Sequence, residues 1–270
     1  MTAGNHHESG RKPNPVRGLA VADNGLKLDL DQRELPRGRQ AQLSFTVVGA
    51  DGEAVRDYEV EHDKRMHLIV VRRDMTGFQH LHPELDAEGR WSTQLKVVEA
   101  GSYRVFADFK RRGENHTLAC DLAVDGRLDS RPLAPVKAIA DAGGGYQVRL
   151  VGETSKARKD AEIGFAVTRN GKGVAVEDYL GAKGHLVALR EGDLAYLHVH
   201  PTETGHGSES DEEGEHGSST KGAEHGEAAV GAEPIRFVTA FPSDGLYALF
   251  LQFKHEGKVH TAAFTRKVAR

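Results

Sequence analysis

The sequence predicts an all-β protein built from two Ig-like β-sandwiches in tandem, the second repeating the pattern of the first. Three observations lead there. One histidine spacing is written twice: His67, twelve residues, then His80-Leu81-His82-Pro83, and His185, twelve residues, then His198-Val199-His200-Pro201. An aromatic register follows in both halves. Gly101, Tyr103, Phe106, Phe109 and Lys110 return as Gly245, Tyr247, Phe250, Phe253 and Lys254, and Gly113, His116 and Thr117 return as Gly257, His260 and Thr261. Short runs alternate apolar with polar residues, the period of a strand buried on one face, and no long stretch shows a capped helical period.

In chain order, residues 1–16 are polar and read as a disordered tail. Residues 17–126 form the first unit, with strand patterns at Leu26–Leu30, Ala41–Val48, Met66–Val71, Trp91–Val97, Tyr103–Phe109 and Thr117–Val124. Gly, Asp and Pro punctuate these runs, the signature of turns between short strands. Residues 127–140, with Pro132 and Pro135, read as a linker. Residues 141–270 form the second unit, where Tyr146–Val151 and Ala161–Thr168 open as Leu26–Leu30 and Ala41–Val48 open the first. Asp51-Gly52 and Asn170-Gly171 mark equivalent turns. An insertion over about 202–233, rich in Gly, Ser, Glu and His, is too polar to bury a core and reads as disordered. Its His206, His216 and His225 could gather metal or simply be solvated.

Composition narrows the function. Hydrophobic content of 38% and aromatic content of 6% suit two small β-domains better than one large core. A net charge of −4 without a basic field argues against nucleic acid. The single cysteine, Cys120, excludes an intrachain disulfide and sits in an apolar strand pattern, as a small buried hydrophobe does. No 18-residue apolar run is present to span a membrane, and Met1–Pro15 lacks the apolar core of a signal peptide.

Imidazole is the commonest transition-metal ligand, so the repeated spacing is chemically suggestive. Residues i and i+2 of a strand share a face, which pairs His80 with His82 and His198 with His200. If the chain turns at Arg73-Asp74 and at Glu191-Gly192, His67 stands opposite His80 and His185 opposite His198; in the first unit Asp74-Met75-Thr76-Gly77 also reads as a longer turn. Three rings then converge in each domain, with nearest nitrogens expected about 3–4.5 Å apart to share one ion. His116 and His260, on the following hairpin, are candidate fourth ligands or orienters. The metal set is His67, His80, His82, His116, His185, His198, His200 and His260, at one metal per domain. All-imidazole sites suit Cu(II) or Zn(II), with Ni(II) a third candidate. Such binding is expected to weaken below about pH 6 as rings protonate. His62 and His255, unmatched in the other half, read as surface residues.

The stretches Arg65-Met66-His67 through His80-Leu81-His82-Pro83, and Tyr179 through His198-Val199-His200-Pro201, resemble a family of largely uncharacterised bacterial cell-envelope proteins, often labelled heavy-metal-binding or copper-associated. The resemblance spans most of residues 17–270. It implies Ig-like sandwiches, an extracytoplasmic location behind an N-terminal signal or anchor, and a cell-envelope protein as a partner.

Three functions fit these residues. One is a non-enzymatic protein that buffers or carries copper or zinc. Another is a tandem Ig-like interaction module whose histidines only hold the fold together. The third is a His₃ zinc metalloenzyme, which needs an acid or base beside the metal. Glu84 follows the first motif, but Thr202 takes that place in the second, and no Ser-His-Asp, P-loop or His-Glu-x-x-His pattern occurs. The expectation is therefore that no catalytic residues are present.

Overall fold

The computed structural model describes residues 16–38, 40–96, 99–199 and 233–270. The readings made for residues 1–15 and for most of the insertion, as well as His200, lie outside them. The first unit contains β1 (Ala22–Asp23), β2 (Leu26–Leu30), β3 (Glu34–Leu35), β4 (Ala41–Val48), β5 (His67–Arg72), β6 (Gln79–Leu81), β7 (Glu84–Leu85), β8 (Arg90–Leu95), β9 (Gly101–Arg111) and β10 (Glu114–Val124). The second contains β11 (Ile139–Gly143), β12 (Tyr146–Val151), β13 (Asp160–Arg169), β14 (Lys172–Gly173), β15 (His185–Arg190), β16 (Tyr196–Val199), β17 (Ile235–Ala240), β18 (Gly245–His255) and β19 (Lys258–Val268). No helix occurs among the described residues, and so no helix is long and apolar enough to cross a membrane.

Each unit is a sandwich of two sheets. In the first, β1-β2-β4-β8-β7 faces β3-β10-β9-β5-β6; in the second, β11-β12-β13-β14, with β17 also paired to β13, faces β16-β15-β18-β19. Turn chemistry sets the register. The β9–β10 hairpin turns at Arg112-Gly113 and the β18–β19 hairpin at Glu256-Gly257, with positive φ at both residues of each pair. That backbone matches the natural twist of a two-residue hairpin. Tyr103 OH donates to Glu99 O (2.9 Å) and Tyr247 OH to Ser243 O (3.0 Å). Each reaches back four residues, as in the tyrosine corner of Ig-like sandwiches.

Alternation along the strands divides their side chains between two apolar layers. In β9, Tyr103, Val105, Ala107 and Phe109 enter the first sandwich core with Leu28, Phe45, Trp91 and Cys120. Burial there pushes the Cys120 thiol up to about 11, so it serves as a hydrophobe and not a nucleophile. In β18, Tyr247, Leu249, Leu251 and Phe253 enter the second core with Phe165 and Phe237. The intervening residues form a third layer between the units: Ile69, Val71, Met75, Phe106 and Ala119 pack against Val187, Leu189, Tyr196, Ala248 and Phe250. The molecule is thus four stacked sheets enclosing three apolar layers. The sequence reading of two sandwiches joined by a linker did not include this middle layer. Linker residue Leu133 packs against it, and β11 begins within the segment read as linker.

The middle layer has approximate two-fold symmetry. Phe106 stacks on Tyr196 (ring centroids 5.0 Å), and its repeat mate Phe250 stacks on Phe78 (4.1 Å, interplanar angle 6°). Phe250→Ala should therefore cost about 3–5 kcal/mol, read as a lower denaturant midpoint of the full chain. An unchanged midpoint would mean that the two units do not pack in this way in solution.

Candidate metal centre

One end of the middle layer is lined by histidines from both units. In β5 the sandwich core takes Leu68 and Val70, which leaves His67, Ile69 and Val71 on the seam. In β15, Leu186 and Ala188 turn inward and His185, Val187 and Leu189 face the seam. His80 is the cross-strand partner of Ile69, and His198 of Val187. His67 therefore stands diagonal to His80, not opposite it. The tight-turn register is corrected by two residues in both units: the β5–β6 connection spans Arg73 to Phe78, the longer turn that Asp74–Gly77 suggested, and the β15–β16 connection spans Glu191 to Ala195.

The rings meet as one cluster. His67, His80, His185 and His198 have all six centroid separations between 5.2 and 6.2 Å. His82 completes it at 5.1 Å from His67 and 4.7 Å from His80. One nitrogen from each of His67, His80 and His82 lies within 4.8 Å of the other two, a slightly wider span than expected from sequence. The trio expected in the first domain is thus brought together; of the trio expected in the second, His185 and His198 face the same cluster across the seam, and His200 lies outside the described residues. Sheet-on-sheet packing brings the two histidine faces together.

Hydrogen bonds assign the protons. His67 Nε2 lies 3.2 Å from the Glu61 carbonyl and His185 Nε2 lies 2.9 Å from the Tyr179 carbonyl, each six residues upstream. A carbonyl only accepts, so these nitrogens donate. His80 Nδ1 donates across the seam to Gln252 Oε1 (2.6 Å), and His198 Nδ1 donates in the opposite sense to Asp108 Oδ2 (2.9 Å). Gln252 is oriented by its own amide, which donates to Thr261 Oγ1 (3.4 Å). Asp108 pairs with His67 across β5–β9, and Gln252 with His185 across β15–β18, so the two acceptors are repeat mates. Four rings thus carry the oxygen partner that orients a metal-binding imidazole.

The middle of this network is a direct contact between two rings. From the Glu61 carbonyl through His67 and His80 to Gln252 Oε1 there are three close contacts. The middle one joins His67 Nδ1 to His80 Nε2 at 3.0 Å. With Gln252 Oε1 accepting from His80, two neutral imidazoles spend both of their N–H groups at the ends. With that assignment two lone pairs face each other in the middle contact, where a metal cation would bridge them; with the Gln252 amide turned, its Nε2 donates to His80 Nδ1, Thr261 donates to its Oε1, and His80 Nε2–H fills the contact. Protonation is disfavoured: burial lowers the pKa of His67 and lowers those of His80 and His198 well below the usual 6.5. Burial also brings His82 down to about 3 and His185 to about 4. His82 Nε2 is buried without a hydrogen-bond partner.

His116 and His260 are not part of this cluster. They occupy equivalent registers opposite Phe109 and Phe253 and stack on those rings at 5.4 and 5.3 Å. Phe109 and Phe253 belong to the sandwich cores, so both histidines project from the far face of their sheets and cannot serve as fourth ligands. His62 and His255 are not simple surface residues. His62 lies 5.7 Å from His185 across the seam, and His255 Nδ1 bonds Tyr146 OH at 2.8 Å. Glu84 is exposed on β7, in the outer sheet of the first unit.

Asp108, Gln252 and Tyr196 were missed from sequence. Asp108 accepts from Thr117 Oγ1 (2.8 Å), Tyr196 OH (3.1 Å) and His198. Burial raises its pKa while the Thr117 hydroxyl opposes that rise. In the second unit the available signal was Gln252, a polar residue closing the apolar run Leu246–Leu251; in the first, Asp108 shares its face with Ser102, Arg104 and Lys110 and does not stand out.

A family model described as a domain of unknown function (DUF8832) matches residues 20–126 and again 140–270. No curated protein matches the sequence. Among solved structures, the chain is similar to the Escherichia coli adhesin FdeC at 13% identity and a TM-score of 0.28, covering 93% of this chain and 66% of that one. It is similar to E. coli alpha-2-macroglobulin at 10% identity and a TM-score of 0.29, covering 94% and 16%. A titin Z1Z2 tandem gives 12% identity and a TM-score of 0.20, covering 90% and 98%. At these scores the likenesses carry no functional argument.

Proposed function

The chain belongs to the DUF8832 family and carries its domain twice, and we propose that the pair binds one divalent transition-metal ion, Cu(II) or Zn(II), in the seam between its copies. The observation that supports this reading is the convergence of His67, His80 and His82, whose ring nitrogens lie within 4.8 Å of one another, with His67 Nδ1 3.0 Å from His80 Nε2. A cation shared by these nitrogens needs the rings neutral, the form that burial favours. Nitrogens about 2.0–2.1 Å from one ion stand about 2.9 Å apart at a right angle and about 3.3 Å apart at the tetrahedral angle. The 3.0 Å separation lies between these limits. His82, His185 and His198 are the further candidate ligands, and the protein is a non-enzymatic metal carrier or buffer. We place it in the cell envelope on the strength of the sequence resemblance, a location that cell fractionation would check.

Titration of untagged protein with each ion should give one ion per chain, not the two that separate domain sites would bind. Failure of both ions to bind, or saturation at two equal sites, would reject this reading. A second reading is supported by the reciprocal His80–Gln252 and His198–Asp108 bonds: a tandem module whose histidines fasten the seam. It requires melting curves identical with metal and with chelator.

A further inference from the structure

The two halves of the centre differ at one matched position. Where the second unit presents the neutral Gln252 to His80, the first presents Asp108 to His198. Three donors converge on the Asp108 carboxylate, from Thr117, Tyr196 and His198. Asp108 thus places a carboxylate directly on a ring of the cluster. A divalent ion held by neutral imidazoles would leave two positive charges in a seam largely shielded from water. Such charge is costly to bury without an opposing one nearby, and a carboxylate behind a ligating histidine also raises its basicity. We propose that Asp108 supplies the counter-charge of the centre and so sets its metal affinity, with Gln252 as its neutral mate at the equivalent place. This rests on the metal reading above.

The test uses the full chain titrated with Zn(II) and with Cu(II) against a competing chelator. D108N keeps an oxygen acceptor at the same place and should weaken binding by about 10–100-fold, the usual cost of losing such an orienting partner. The double variant D108N/Q252E moves the carboxylate from His198 to His80 and should recover most of that loss. Weakening without recovery would mean that Asp108 acts through local structure and not through charge, and would overturn the inference, as would an unchanged D108N. If D108N does not fold, as judged by circular dichroism, the single variant Q252E decides. A second carboxylate should tighten binding by about tenfold, and unchanged affinity would overturn the proposal. Absence of binding by the unaltered chain would overturn the metal reading and this inference with it, whereas binding by the unaltered chain and equally by D108N would overturn the inference alone.

Discussion

Replacing His67 and His80 together by alanine should abolish the metal-dependent rise in melting temperature. An ion present at one hundred times its dissociation constant stabilises the state that binds it by about 2.7 kcal/mol. For a chain of this size that is a shift of about 5–10 °C. His67 and His80 meet at 3.0 Å, so their removal takes away the closest nitrogen pair of the centre. His116→Gln and His260→Gln are the matched controls: both rings lie beyond their sheets, and both variants should keep the full metal response. Loss of the response in those controls, or its survival in the double variant, would show that metal binds elsewhere.

Acidification of the metal-free protein should destabilise it strongly between about pH 6.5 and 4. The sign follows from the direction of the shifts. His67, His80, His82, His185 and His198 all have folded-state pKa values below their usual 6.5. The unfolded chain therefore takes up protons first as pH falls. The stability associated with the neutral rings is complete above 6.5 and is lost progressively toward about 4 for His185 and about 3 for His82. At roughly 1.4 kcal/mol per pH unit per ring, His185 alone accounts for on the order of 3 kcal/mol by pH 4. Bound metal should displace the acid midpoint downward, because rings held neutral by burial compete weakly for protons. The sequence-level expectation that binding fades below about pH 6 belongs to free imidazole. Denaturation curves at pH 7.5, 5.5 and 4.5, with metal and with chelator, would measure both effects. A metal-free stability that is flat over this range would mean that the cluster is hydrated rather than buried.

Much of this was legible in the residues. The period-two runs, the Gly-bearing turns and the repeated aromatic register specify strands, hairpins and a duplicated sandwich, because these depend on local backbone preference and on which residues must leave water. The His-x-His spacing placed chemistry at corresponding points of the two copies for the same reason. His116 and His260 were misjudged, since an equal spacing in both halves says nothing about which face of a sheet a residue occupies relative to another hairpin. The β9–β10 and β18–β19 registers put them beside Phe109 and Phe253, on the faces turned away from the seam.

The sequence by itself determined two copies of one all-β unit and a histidine set matched between them. Only the tertiary structure decided that His67, His80, His82, His185 and His198 gather at one seam. The outer faces of β5 and β9, and of β15 and β18, carry Ile69, Val71, Phe106, Val187, Leu189 and Phe250, too much apolar surface to leave in water. Burying it requires the two sheets to pack on each other, and that packing brings His67 and His80 against His185 and His198. It also pairs Asp108 with a ring about ninety residues away. Such a contact depends on the docking of two folded units, so no periodicity or spacing within either one encodes it.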